Sequence, residues 1–389
     1  MAAGLATSTL FGLAVVLLSS FIVGEFFERI GLESIIGYII TGLILGPAVL
    51  NIVKPESLAG FGTIGATLIL FQAGLREQNA ADIFRHRKGL DLGIGILIGS
   101  FLFIFAALVL FGDIFLPEIG IKAYVFIALA YSLIDIGVPS KIMLSRGMLR
   151  EDIGRYTIKS AVINVTAGFA VLTALVLTTS TTLTDLAIKI GGIAGFAIVF
   201  YILHEFMHRI DDFVIMFEEA EAQFAITFAL LLSMAYVTDL VGLSSVIGAF
   251  FAGVLISRSE FSDSRAFQEK IKAIGMGLFI PIFFAWFGLG LKILGPHGML
   301  ANIEAATFLF VLSTVSKLGI GYIMPLFHKM NKPLTIATSL LSLDIETLVV
   351  LLIGINLGVL DHQILQIFAP SVLMSTVIIV GIYFFLDRR

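Results

Sequence analysis

The dominant pattern along the chain is long apolar runs separated by short polar joints. Thirteen such runs are read, at about 8–28, 34–50, 57–75, 90–112, 121–144, 153–179, 184–205, 222–240, 242–257, 270–292, 302–327, 333–357 and 363–386. A helix that crosses a bilayer takes roughly 20 apolar residues. Barrel strands would be shorter and would alternate, which these runs do not. The pattern predicts an all-α polytopic membrane protein with about thirteen transmembrane helices.

Composition agrees. Hydrophobic residues make up 58% of the 389 and charged residues 13%, about half the share of a soluble domain. Such a chain cannot cover its surface with polar groups in water, so soluble enzymes and nucleic-acid binders are excluded. There is no cysteine, hence no disulfide or thiolate site. The opening MAAGLATSTL lacks a basic segment, so the first run is expected to be a mature span and not a cleaved signal.

The polar joints set the expected orientation. Of the 24 Lys and Arg, eighteen fall in alternate joints, among them Arg29, Arg85, Arg146, Arg209, Arg258 and Lys329. The opposite joints hold only Lys54, Lys122 and Lys292, while Lys159, Lys189 and Lys317 lie within or at the edge of spans. Basic residues stay on the cytoplasmic side. The N-terminus is therefore expected outside and the C-terminus in the cytoplasm, in the cell (plasma) membrane.

The chain also repeats itself. GLESIIGYIITGLIL, from Gly31, matches GLSSVIGAFFAGVLI, from Gly242, at an offset of 211. LFQAGLRE around Gly74 echoes FFAWFGLGLK around Gly288. SLIDI and LSLDI place Asp135 against Asp344 at an offset of 209. The copies sit seven spans apart, and an odd number inverts one against the other. Inverted repeats mark secondary transporters, whose sites lie near the midplane at discontinuous helices. Residues 1–179 are read as the first repeat, 180–221 as a linking span with an acidic linker, and 222–389 as the second repeat.

Charges inside spans cost several kcal/mol and need a reason, at least ~2.5 kcal/mol each on insertion scales. Asp135 is followed by Gly137 and Pro139, so its helix is expected to break there. Asp344 and Glu346 occupy the matching span. These acids are candidates for ion binding or proton coupling; the alternative is that each only caps a half-helix. Lys317 is mid-span and must find an acid, either as a structural salt bridge or as a charge-compensating group in transport. Asn164, with Ser132 and Thr166, offers oxygen to a monovalent cation, though such residues also join helices.

HEFMH, His204 to His208, has the spacing of a zinc protease helix, with Glu205 as base. It sits at the end of the seventh span beside an acidic linker, and no third ligand is evident. The zinc reading of His204, Glu205 and His208 is therefore a remote alternative. There is no Walker A loop and no dinucleotide fingerprint, and no cofactor or metal is expected.

RIGLESIIGYIITGLILGP, GTIGATLILFQAGL, GLSSVIGAFFAGVLI and GLFIPIFFAWFGLGLKI resemble segments of the cation:proton antiporter (sodium/hydrogen exchanger) superfamily. ALAYSLIDIGVPSKIMLSRGML is similar to its broken helix. The similarity runs from about Ser8 to Asp387. It implies two crossed broken helices, elevator-like alternating access, a homodimer, and exchange of sodium or potassium for protons. In such proteins the sixth span carries an acidic pair whose second member binds the cation or proton; here that pair reads Asn164-Val165. Lys317 matches the basic position of the eleventh span. The resemblance thus implies an antiporter whose carboxylate has moved to the broken helices. The alternative is a transporter of the same fold with another solute or without proton coupling.

Overall fold

A computed structural model describes residues 2–30, 33–75, 87–116, 119–135, 139, 143, 148, 151–179, 182–207, 209, 212–213, 216, 220–240, 245–343 and 345–386. Among these every regular element is helical. In chain order they are α1 (Ala2–Arg29), α2 (Ser34–Leu45), α3 (Ala59–Leu75), α4 (Arg87–Phe115), α5 (Ile121–Ser132), α6 (Asp152–Thr178), α7 (Leu183–Glu205) and α8 (Ala220–Leu240). There follow α9 (Ser245–Ile256), α10 (Arg265–Ile274), α11 (Ile280–Leu289), α12 (Ile303–Phe327), α13 (Pro333–Ser339), α14 (Ile345–Asn356) and α15 (Gln363–Leu386). Seven helical segments are long and apolar enough to cross a membrane, and six shorter apolar helices accompany them.

Each of the thirteen expected segments contains helix among the described residues, the end of the fifth and the start of the ninth lying outside them, and there are local corrections that have physical causes. The second stops at Leu45, because the residue before Pro47 cannot continue a helix. The tenth begins five residues early, in α10. There Phe267 and Ile271, one turn apart, are buried under a polar face, and the Ser264 hydroxyl caps the helix by accepting from Phe267 N at 3.3 Å. A single π turn, Gly275–Phe279, joins α10 to α11. Gln72 Nε2 donates to Ile271 O at 3.3 Å just before that turn, and the missing side chain of Gly275 makes room for the amide.

The chain forms two compact units. One comprises Met1–Gln78 and Leu175–Leu291, the other Asn79–Ala174 and Lys292–Arg389. Each is built from two stretches that are separate in the sequence.

The first unit displays the repeat directly. A Cβ on Gly42 of α2 would collide with Ala285 O and Leu289 N of α11, and one on Gly288 of α11 with Ile39 O and Leu43 N of α2. The other pair reads the same. Gly253 of α9 lies on Phe71 O and Leu75 N of α3, and Gly74 of α3 on Phe250 O and Val254 N of α9. Adding 211 to the α2 positions and subtracting 214 from the α11 positions converts the first contact into the second. The motif halves recognised in the sequence therefore pack crosswise, α2 on α11 and α9 on α3. Glycine at the four crossing points lets backbone meet backbone, as membrane helices do where lipid offers no hydrophobic drive to pack.

Candidate functional site

The second unit holds both helix breaks. α5 ends at Ser132, and Leu133 to Asp135 follow without helical structure, Leu133 in extended conformation. α13 ends at Ser339, and residues 341–343 are likewise irregular before α14 begins. Main-chain groups that leave a helix inside apolar surroundings need new partners, since no water replaces the lost bonds.

Two fully buried side chains supply them. Asn164 Oδ1 accepts from Ile134 N at 3.0 Å, and its Nδ2 donates to Ser132 O and to Gly93 O, both at 3.3 Å. Lys317 Nζ donates to Leu133 O and, at 3.4 Å, to Ser342 O. Leu133 and Ser342 are separated by 209 residues, the offset that relates Asp135 to Asp344. One ammonium thus joins equivalent carbonyls of the two broken helices. Ser313, one turn before Lys317 on α12, adds a bond from Oγ to Tyr131 O at 2.7 Å.

Gly93 explains how Asn164 reaches α4. A Cβ there would press on Ser160 O and Ile163, so α4 and α6 approach closely only with glycine at that position. The close approach brings Gly93 O to the amide.

Two buried carboxylates act on this clamp. Asp135 ends the first irregular segment and is 5% exposed; Glu346, also 5% exposed, lies in the first turn of α14. The positive end of a helix favours a carboxylate there. The charges of Glu346 and Asp135 both act on Lys317. Asp344 lies outside the described residues. Val165 is fully buried and apolar beside Asn164, so no acid stands at the place where the resemblance puts one.

The hydroxyl candidates turn toward their own helices. Ser132 Oγ donates to Leu129 O at 2.8 Å, Thr166 Oγ1 to Val162 O at 2.9 Å, and Ser160 Oγ to Tyr156 O at 2.7 Å. Sequence reasoning missed Gly93, Ser313 and Ser342. Two of these act through a carbonyl, which no side-chain pattern reports, and a lone serine in an apolar span carries little signal.

His204 and Glu205 of the HEFMH motif belong to the first unit. His204 and Glu205 close α7, His204 Nε2 lies 3.1 Å from Arg258 Nη1, and His208 is outside the described residues. An arginine nitrogen only donates, so this imidazole nitrogen accepts there and its lone pair is engaged. No group of three potential metal ligands occurs among the described residues.

Broken helices held at buried polar side chains, on a fold of inverted repeats, define the class: a polytopic membrane protein built like a secondary transporter. The chain belongs to the sodium/hydrogen exchanger family, whose profile (Sodium/hydrogen exchanger, transmembrane) matches residues 14–386. It is 24% identical over 372 residues to the Na(+)/H(+)-K(+) antiporter GerN of Bacillus cereus, covering 95% of this chain and 93% of that one. It is 25% identical over 376 residues to a Na(+)/H(+) antiporter of Enterococcus hirae, covering 94% of each. The solved sodium proton antiporter MjNhaP1 of Methanocaldococcus jannaschii has the same fold, with a TM-score of 0.70 at 15% identity, covering 97% of this chain and 96% of that one.

Proposed function

We propose that this protein is a secondary transporter exchanging a monovalent cation, sodium or potassium, for protons by alternating access. Asp135 and Glu346, with Asp344 two residues before Glu346 in the sequence, are its working carboxylates. The observation that carries the reading is a pair of buried carboxylates acting on a buried lysine that bridges both helix breaks. A carboxylate holds either a proton or a metal cation, and that competition couples the two fluxes. Asn164 and Lys317 are positioning residues: they fix the irregular segments so that the acids face one place. Lys317 also offsets acid charge that hydrocarbon would otherwise oppose. Relatives named as Na(+)/H(+) and K(+)/H(+) antiporters support the substrate class.

The proposal includes the plasma membrane, the outside N-terminus, the cytoplasmic C-terminus and a homodimer. It also includes repeat boundaries at 1–179 and 222–389, which the reciprocal glycine contacts support. Val165, buried where the family keeps an acid, favours one second reading, transport without proton coupling. Purified protein in liposomes, given an inward sodium or potassium gradient, tests both. Antiport carries protons out as the cation enters and so alkalinises the lumen, whereas cation flux with no pH change supports the second reading and overturns the first.

A further inference from the structure

A second polar cluster lies on the same two helices that flank the site. α4 and α12 run antiparallel, and their contact repeats every fourth residue: Gly99 meets Ile320, Gly95 meets Met324, and Asp91 meets His328. A groove of about 660 Å³ follows this seam. Its last rung is an ion pair, His328 Nε2 to Asp91 Oδ2 at 3.4 Å. His328 caps the C-terminus of α12, where the carbonyl-rich helix end favours a cation. From α6, Tyr156 sets its ring edgewise on the imidazole at 6.1 Å between centroids. Tyr156 is 6% exposed, and its hydroxyl has no hydrogen-bond partner among the described residues, although the Asp91 charge acts on it. Other charged groups among the described residues also lie at this end, Lys159 of α6 among them, its Cβ at 3.4 Å from the place a side chain on Gly89 would take. Asp152 and Arg155 pair at 2.8 Å, Lys332 Nζ turns to Met148 Sδ, and Lys329 directly follows His328 with a left-handed backbone, φ 53°.

We infer that Asp91, His328 and Tyr156 form a proton-operated latch at the end of the α4–α12 seam, with Asp91 shared between two alternative partners. With the imidazole protonated, Asp91 holds His328 and the seam is closed. When the imidazole releases its proton to water, the carboxylate loses its cation and takes the Tyr156 hydroxyl, whose hydrogen bond is otherwise unmade. A buried hydroxyl without an acceptor is the stored preference that makes the second arrangement competitive. The latch bears on the site through α4: Asp91 is two residues from Gly93, whose carbonyl Asn164 holds, and α12 carries Lys317. The seam's glycines leave these helices few side chains to lock their register.

The link to transport rests on the antiport reading, but the latch does not, and the test separates them. Double-mutant cycles in thermal midpoint are measured on the purified full chain in detergent at about pH 5.5 and about pH 8, either side of the range where imidazoles titrate. The His328→Gln/Asp91→Asn cycle is expected to show coupling of a few degrees at the lower pH and none at the higher. The Tyr156→Phe/Asp91→Asn cycle is expected to show the reverse. Additivity of the first cycle at low pH, or of the second at high pH, overturns the latch, and so does coupling independent of pH in either. In liposomes His328→Gln is expected to retain at about pH 6 more of its pH 8 exchange rate than the unmodified protein. An unshifted acid limb beside intact stability coupling overturns the gating role alone.

Discussion

At the residue scale the site is a problem in satisfying main chain. Unwinding two helices in apolar surroundings frees amides and carbonyls, and Asn164 and Lys317 take them up. Each buried polar group left unmatched costs about 1–3 kcal/mol. Asn164→Leu removes three hydrogen bonds at once and leaves Ile134 N and Ser132 O without the amide among apolar neighbours, while Gly93 O keeps its place in the α4 helix. The substitution is expected to destabilise by roughly 2–4 kcal/mol on that basis and to abolish transport, read as a lowered thermal midpoint together with lost exchange. Asn164→Asp keeps the acceptor for Ile134 N and loses both donors, so its midpoint should fall between the two. Equal midpoints for all three proteins would mean that the amide does not hold the break. The buried charges were legible in the sequence because an acid or lysine within an apolar run is conspicuous. The function of Asn164 was not: its partners are main-chain atoms, and its sequence context fits an ion ligand equally well.

Element by element, glycine decides which helices touch. Gly42, Gly288, Gly253 and Gly74 mark two equivalent crossings, and a methyl group at any of them meets a backbone carbonyl of the facing helix. Backbone cannot yield as a flexible side chain does. Gly42→Ala and Gly253→Ala are each expected to cost about 1–3 kcal/mol, the range for overpacking a tight contact. Their effects on the midpoint should be similar, because the sites are equivalent. Gly60→Ala, at a position with open space, is the control and should be silent. A Gly253→Ala protein as stable as the control would contradict the crossed packing. Hydropathy located the helical segments, but by itself it ran the second past its stop before Pro47 and read the tenth and twelfth as continuous where the helix is interrupted. The break after Ser132 announced itself through Gly137 and Pro139. The one after Ser339 has no proline behind it and was visible only through its acids and the repeat. Nothing in the sequence marked the π turn at Gly275–Phe279, since it depends on Gln72 from another helix.

On the scale of the whole molecule, the uneven distribution of lysine and arginine makes a topological prediction. The chain has no cysteine, so single introduced thiols report cleanly. In intact cells Lys54→Cys and Lys292→Cys should react with an impermeant maleimide, while Arg258→Cys and Lys329→Cys should react only after permeabilisation. The opposite pattern would invert the molecule. The family was legible because its motifs recur along nearly the whole chain, and the profile match over residues 14–386 bears that out. The position of the working acid could not be settled by the same route, because Val165 stands where the family pattern would have named it.

Antiport by this chain, as proposed, depends on coupling carboxylates carried by the broken helices. The most direct test is cation-driven pH change in liposomes for the unmodified protein and for Asp135→Asn, Glu346→Gln and Asp344→Asn, each checked for folding by thermal midpoint. Exchange is expected in the unmodified protein, with at least a tenfold loss in Asp135→Asn and in Glu346→Gln and folding retained. Exchange at the unmodified rate in all three variants would contradict that dependence.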